Sequence, residues 1–276
     1  MPGFNRLYEF EAIGTHWWLE VLNDKTLNKQ LINNIQKYTK EFTNNYSRFI
    51  GDSLLNQMCR EGELINPPSE LVEMMKFARQ MHKVSNGLFN ITVGGELHKI
   101  GYGSQDYANS ISPDFWQKTT ISGKKINIPA DATLDFGGFG KGWLIEVYKK
   151  ILINNGFDNF IINGGGDLYT QNSTAVEFYL EDPRNSNRAL GSVRIKKGAL
   201  AASSSQKRRW KYNQKSYHHI IDPRSSRPSR TKVLTSFVQS QSALVADSLA
   251  TILFIEPSLE ESLKKHYDFS SIIIYS

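Results

Sequence analysis

A chain of 276 residues, 39% hydrophobic and 22% charged, is long enough to bury most of its apolar surface without covalent staples, and its composition excludes the disordered and fibrous classes. Its one cysteine, Cys59, excludes an internal disulfide and a thiolate metal centre, so any metal must be held by oxygen or imidazole. The net charge of +6 gathers partly into Lys207, Arg208, Arg209 and Lys211 and into Arg224, Arg227 and Arg230, a pattern open to nucleic acid, an anionic membrane or an anionic small substrate.

The chain opens on Met-Pro-Gly-Phe-Asn-Arg, without the basic, apolar and cleavage regions of a leader and without a membrane-spanning run elsewhere. As written it reads as cytoplasmic, and as extracytoplasmic if a leader has been removed. Alternation over 8–22 predicts one strand, closed by Asn23-Asp24. Over 27–42, Leu31, Ile35, Tyr38 and Phe42 recur at three- and four-residue spacing and predict a helix with one buried stripe. Pro67-Pro68-Ser69 predicts a second helix with Ser69 as N-cap and a stripe of Leu71, Met74, Met75, Ala78 and Met81, where the methionines serve as core filler. Asn86-Gly87 ends it, and a short apolar run leads into Gly94-Gly95.

Residues 101–125 are polar and irregular. Strand edges follow at 125–129 and 133–136, a helix at 142–155, and a buried strand at 159–163 that stops at Gly164-Gly165-Gly166. Strands at 175–180, 190–196 and 270–275 and a helix near 242–254 complete an α+β pattern of mixed or antiparallel sheets flanked by helices. With no linker-like tract and no repeat, the expected organisation is one domain over 1–276.

Two glycine clusters invite nucleotide-binding readings and fail them. A phosphate loop at Gly137-Gly138-Phe139-Gly140-Lys141-Gly142 would need glycine at Asp135 and Ser or Thr at Gly142. A dinucleotide fingerprint at 164–166 would need a third glycine at Tyr169 and a following helix. What survives is close backbone approach at the glycines and the positive potential of Lys141 at a helix start.

Asp247 and Thr251 lie four apart, so on a helix their oxygens share one face and suit a hard cation such as magnesium. His219 sits just before Asp222-Pro223, a rigid turn, and is placed as a base or proton relay for an attacking hydroxyl. The segments Leu134-Asp135-Phe136-Gly137-Gly138-Phe139-Gly140-Lys141-Gly142-Trp143, His219-Ile220-Ile221-Asp222-Pro223 and Ala246-Asp247-Ser248-Leu249-Ala250-Thr251 together resemble the three hallmark segments of the FAD:protein FMN transferases, the ApbE family. Ile13-Gly14-Thr15, Ser47-Arg48-Phe49 and the stretches 87–93 and 163–167 extend the resemblance over nearly the whole chain.

The resemblance implies an ApbE-like α+β domain with a central FAD cleft. In it, FMN passes from FAD to a Thr or Ser hydroxyl of an acceptor flavoprotein through a phosphoester, and AMP leaves. It implies magnesium held by Asp247, Thr251 and the carbonyl of Gly140, with His219 and Asp247 serving catalysis. FAD would be lined by Ile13, Phe49, Asn90, Ile91, Thr92, Gly137, Lys141, Trp143, Ser203 and His219. The sequence departs from the family pattern at Glu146, where an Asp is common, at Ser204, where a Gly is, and at Ser225-Ser226, where Thr-Gly is usual. Two alternatives use the same residues: an FAD pyrophosphatase in which water attacks, and a non-catalytic FAD-binding protein. Nucleic acid is not an expected partner, because no reader motif accompanies the basic clusters.

Overall fold

The computed structural model describes residues 6–103, 110–130 and 132–276. Seven strands form one sheet whose spatial order is the chain order: Leu7–Ala12 (β1), Thr15–Val21 (β2), Phe160–Gly164 (β3), Asp167–Asp182 (β4), Asn185–Ser204 (β5), Val233–Ser240 (β6) and Phe269–Tyr275 (β7). Every neighbouring pair is antiparallel. Such a sheet needs no crossover between adjacent strands, which leaves long excursions between β2 and β3 and between β6 and β7 free to build helices.

The segment expected as one strand over 8–22 is a hairpin. Ile13 (φ 43°) and Gly14 (φ 73°) turn the chain in two residues, and the Trp17 Nε1 donates to the Ala12 carbonyl at 3.0 Å. A two-residue turn preserves alternation, and isoleucine is not a residue that announces left-handed backbone. Likewise 175–180 and 190–196 are the middles of two much longer strands, β4 and β5, joined at Pro183-Arg184.

Helix Lys29–Tyr46 (α1) starts where Asn28 Oδ1 accepts from the Leu31 amide at 2.8 Å and runs a turn past 42, because Tyr46 extends the buried stripe. Helix Leu54–Glu61 (α2), capped by Ser53 and ended by Gly62 at φ 70°, carries no signal strong enough to have been expected. In Ser69–Val84 (α3), Pro68 occupies the cap position and Ser69 is the first helical residue, with no side-chain cap bond. The predicted strand edge at 133–136 is not a strand. Asp135 instead binds Arg48 and the Gly137 amide, so this stretch makes a turn rather than a ladder. Of the irregular stretch 101–125, positions 104–109 lie outside the described residues; Phe115–Lys118 is one helical turn, and Thr120–Ile121 joins Lys125–Asn127 and Glu63–Ile65 in a small three-stranded sheet.

Two helices position the site: Gly140–Asn154 (α4) and Ala243–Ile255 (α5). Ser242 caps α5, and Glu146 Oε1 also accepts from the Ala243 amide at 2.7 Å, so α4 ties down the start of α5. The backbones touch at Gly142, where an added Cβ would lie 2.6 Å from the Ala243 carbonyl oxygen and 2.7 Å from Leu244 Cα. Neither contact is a movable side-chain end. Gly142→Ala is therefore expected to lower stability by about 1–3 kcal/mol, read as a lower urea midpoint at unchanged m. The main core runs from Ala12 to Phe269 and packs both helices against the sheet. Among the described residues, no helix is long and apolar enough to cross a membrane.

Candidate functional site

The turn at 136–141 that leads into α4, the loop at 88–93, the ends of β4 and β5 and one face of α5 surround a cleft of about 1290 Å³. That exceeds the roughly 300–1,000 Å³ of most small-ligand pockets and suits a dinucleotide-sized molecule. Asp247, Thr251, Gly140 and His219, spread over more than a hundred positions of sequence, all open onto it.

Asp247 is 2% exposed. Its Oδ2 accepts from the Gly142 amide at 2.9 Å, and its Oδ1 lies 3.0 Å from the Lys141 ammonium. A carboxylate at the first turn of α4 satisfies amides that have no intrahelical partner and lies at the positive end of the helix dipole. Burial, and the nearby Asp167, push its pKa upward, while Lys141 pulls the other way. Asp167, also 2% exposed, puts Oδ2 2.5 Å from the same ammonium and accepts from the Ala202 amide through Oδ1 at 2.9 Å. Lys141 thus sits between two buried carboxylates, and their charges keep it protonated against the opposing cost of burial.

Thr251 lies one helical turn past Asp247, as its spacing predicted. Its Oγ1 is 3.0 Å from Ser203 Oγ and 3.3 Å from the Asp247 carbonyl oxygen. An added Cβ at Gly140 would meet nothing within 4 Å, so there is open space beside this turn. The two rings of the His218-His219 pair differ in their surroundings, His219 lying against the backbone of Arg208. His218 Nε2 donates to the Ser229 carbonyl at 3.0 Å, whereas the His219 Nδ1 is sealed from solvent with no protein partner among the described residues. Burial, then the charges of Arg208 and Lys141, push the pKa of His219 down to about 3, so the ring is neutral.

At the mouth, the Arg48 guanidinium holds Asp135 Oδ2 at 2.5 Å and the Tyr102 carbonyl at 2.6 Å and lies 4.2 Å from the Phe49 ring centre. Asp135 Oδ1 accepts from the Gly137 amide at 2.6 Å, which fixes the glycine turn. Phe49 is 54% exposed at this rim.

Ile13, Phe49, Asn90, Ile91, Gly137, Lys141 and Ser203 line the cleft as well. Thr92 and Trp143 do not. Thr92 is fully buried behind Asn90, donating to its Oδ1 from both amide and hydroxyl, and Trp143 turns to the core and donates to Glu70 Oε1 at 2.9 Å. Thr92 lies between cleft residues Ile91 and Val93, and Trp143 two positions past Lys141, but both side chains point away from the cleft. Sequence reasoning gave Asp167 and Arg48 no role. The available signal was an acidic residue directly after Gly164-Gly165-Gly166, at the first position of β4 and just before the apolar pair Leu168-Tyr169.

A sequence model of the ApbE family matches residues 13–268. The chain belongs to the ApbE family. Among its curated relatives, the FAD:protein FMN transferase of Vibrio cholerae serotype O1 is 24% identical over 247 residues, covering 82% of this chain and 73% of that protein. The FAD:protein FMN transferase of Klebsiella pneumoniae is 23% identical over 267 residues, 91% of this chain and 83% of that one. Among solved structures, an ApbE protein from Thermotoga maritima aligns with a TM-score of 0.84 at 20% identity, covering 98% of this chain and 94% of that chain. The flavin transferase ApbE from Vibrio cholerae aligns at 0.77 and 19% identity over 98% and 93%. At these identities the structures establish the ApbE fold. Two departures from the ApbE pattern find local explanations: Glu146 reaches the Ala243 amide, and Ser226 turns the chain at φ 55° without glycine, supported by its amide donating to the Asp222 carbonyl at 2.9 Å.

Proposed function

We propose that this chain, as one domain over 1–276, transfers FMN from FAD to a hydroxyl of an acceptor protein and releases AMP. The observation that carries the reading is the convergence of Asp247, Thr251, Gly140, Lys141 and His219 on one dinucleotide-sized cleft of an ApbE-family chain. Transfer from a pyrophosphate is mostly positioning and charge neutralisation, and the cleft supplies both. The acceptor is a Thr or Ser hydroxyl, whose oxygen attacks the FMN-side phosphorus. That P–O bond forms as the bond to the bridging oxygen breaks, and AMP leaves with that oxygen.

His219, neutral and sealed on one side, takes the hydroxyl proton. Lys141 faces the pyrophosphate with positive charge. Ile13, Asn90, Ile91, Gly137 and Ser203 form the walls, and Phe49 closes the rim.

The donor set fits magnesium: one buried carboxylate from Asp247, the Thr251 hydroxyl and the Gly140 carbonyl are all hard oxygens, and there is open space beside Gly140. Among the described residues no three His, Cys, Asp or Glu gather to hold a metal, so water and substrate phosphate would have to complete the shell of the ion. When bound, magnesium supplies charge neutralisation on the phosphate oxygens.

The test is incubation with FAD and Mg²⁺, with and without a candidate flavoprotein. One FMN added to a Thr or Ser of the acceptor, with matching AMP, is expected. FMN and AMP appearing equally fast without any acceptor, and no covalent flavin with it, would establish a hydrolase instead.

A further inference from the structure

The Lys141 ammonium and the proposed cation require the same oxygen. Asp247 Oδ1 lies 3.0 Å from Nζ and is also the carboxylate oxygen left after Oδ2 accepts from the Gly142 amide. A divalent ion bound there would sit about 2 Å from that oxygen, hence within a few ångströms of the ammonium, where like charges repel strongly in a buried site. Lys141 is half-buried at the cleft wall, and its other anionic partner is Asp167, at 2.5 Å. Asp167, the first residue of β4, is anchored from the far side by the Ala202 amide near the end of β5 at 2.9 Å, and so is a fixed point independent of α5.

Resting on the cation site proposed above, we propose that Asp167 is a positioning residue: it retains the Lys141 ammonium when a divalent cation takes Asp247. The two carboxylates divide the labour. Asp247 exchanges one cation for another, and Asp167 keeps Lys141 paired and aimed at the cleft throughout. Two buried carboxylates face the one ammonium, so Lys141 keeps an anionic partner when Asp247 turns to a second cation. With Asp167 neutralised, Lys141 has Asp247 alone, and ammonium and metal compete for it.

The experiment is titration of the ligand-free protein with Mn²⁺, read by the electron paramagnetic resonance of the free ion, with thermal unfolding as a check on folding. Asp167→Asn is expected to weaken Mn²⁺ binding by roughly tenfold or more, in the range found for residues that orient metal ligands. Lys141→Met, which removes the competitor, is expected to bind Mn²⁺ at least about threefold more tightly than wild type. Lys141→Met combined with Asp167→Asn is expected to return to within about threefold of wild type, because the competitor and its keeper are both gone. The single Lys141 variant and the double variant carry the test even where Asp167→Asn alone folds poorly.

Unchanged affinity in Asp167→Asn overturns the proposal. A double variant as weak as Asp167→Asn makes Asp167 a ligand rather than a positioning residue and overturns it too. Wild-type protein that takes up no Mn²⁺, or Asp247→Asn holding it as tightly as wild type, defeats the cation site itself. Weakened binding in Asp247→Asn with no change in Asp167→Asn defeats only the role of Asp167.

Discussion

Asp247→Asn is expected to lower the rate of FMN transfer by about 10³-fold or more, since stabilising charge on the transferring phosphoryl group is the main way such a site speeds the reaction. The substitution is chosen over alanine for a structural reason. Alanine would strip the acceptor from the Gly142 amide and leave an opened pocket between α4 and α5, where the backbones meet at Gly142. Breaking a buried charged pair by removing one partner costs on the order of 3–5 kcal/mol, enough to confuse lost folding with lost chemistry. Asparagine keeps a carbonyl for the Gly142 amide, and Lys141 keeps Asp167. Rate, FAD affinity and unfolding midpoint measured on one preparation separate the effects. A variant that folds, binds FAD and transfers within tenfold of wild type removes Asp247 from the machinery.

How much of this arrangement could be read from the amino acids depended on the range of each interaction. The Asp247 to Thr251 spacing is a property of one helix turn, and the structure keeps it. The stripes of α1 and α3 follow for the same reason, since a helix states its buried face within a few residues. The sheet was less legible. Its strands were found in pieces because period-two alternation runs through a two-residue turn at Ile13-Gly14 and fades on the exposed arms of β4 and β5. The pairings of β2 with β3 and of Arg48 with Asp135 join positions far apart in the chain, and no local pattern encodes such partners.

Asp167 shows the same limit at the site. Beside three glycines it reads as part of a turn, and only the packing of the first turn of α4 against the start of β4 makes it the second partner of Lys141. Thr92 and Trp143 show it in the opposite sense: closeness in sequence to cleft residues does not carry their side chains to the cleft, because nearby positions on a helical turn face different ways.

His219→Gln is expected to lower the transfer rate at pH 7 by about 10²–10⁴-fold while FAD affinity stays within a few fold, the pattern of a lost proton acceptor rather than a lost contact. The pH dependence follows from the cause of its shift. Burial and the charges of Arg208 and Lys141 hold the imidazole down at about 3 in the folded protein, against an ordinary value of 6.5. In the unfolded chain the ring takes a proton below 6.5. In the folded protein it does so only near 3, so the unfolded state binds more protons in between and gains as pH falls. The stability linked to neutral His219 is therefore complete above pH 6.5 and is lost progressively toward pH 3. Because the ring retains some contact with the cleft solvent, the loss is about 1–2 kcal/mol rather than the full value of such a shift. Glutamine has no such proton, so urea midpoints of the variant should decline less than those of wild type between pH 6.5 and pH 4. The same neutrality predicts that the wild-type transfer rate shows no fall from protonation of this ring between pH 8 and pH 5. A rate that halves near pH 6.5 in wild type and loses that inflection in His219→Gln would mean the ring titrates normally in an open cleft. The sealed, neutral base would then be the wrong description of it.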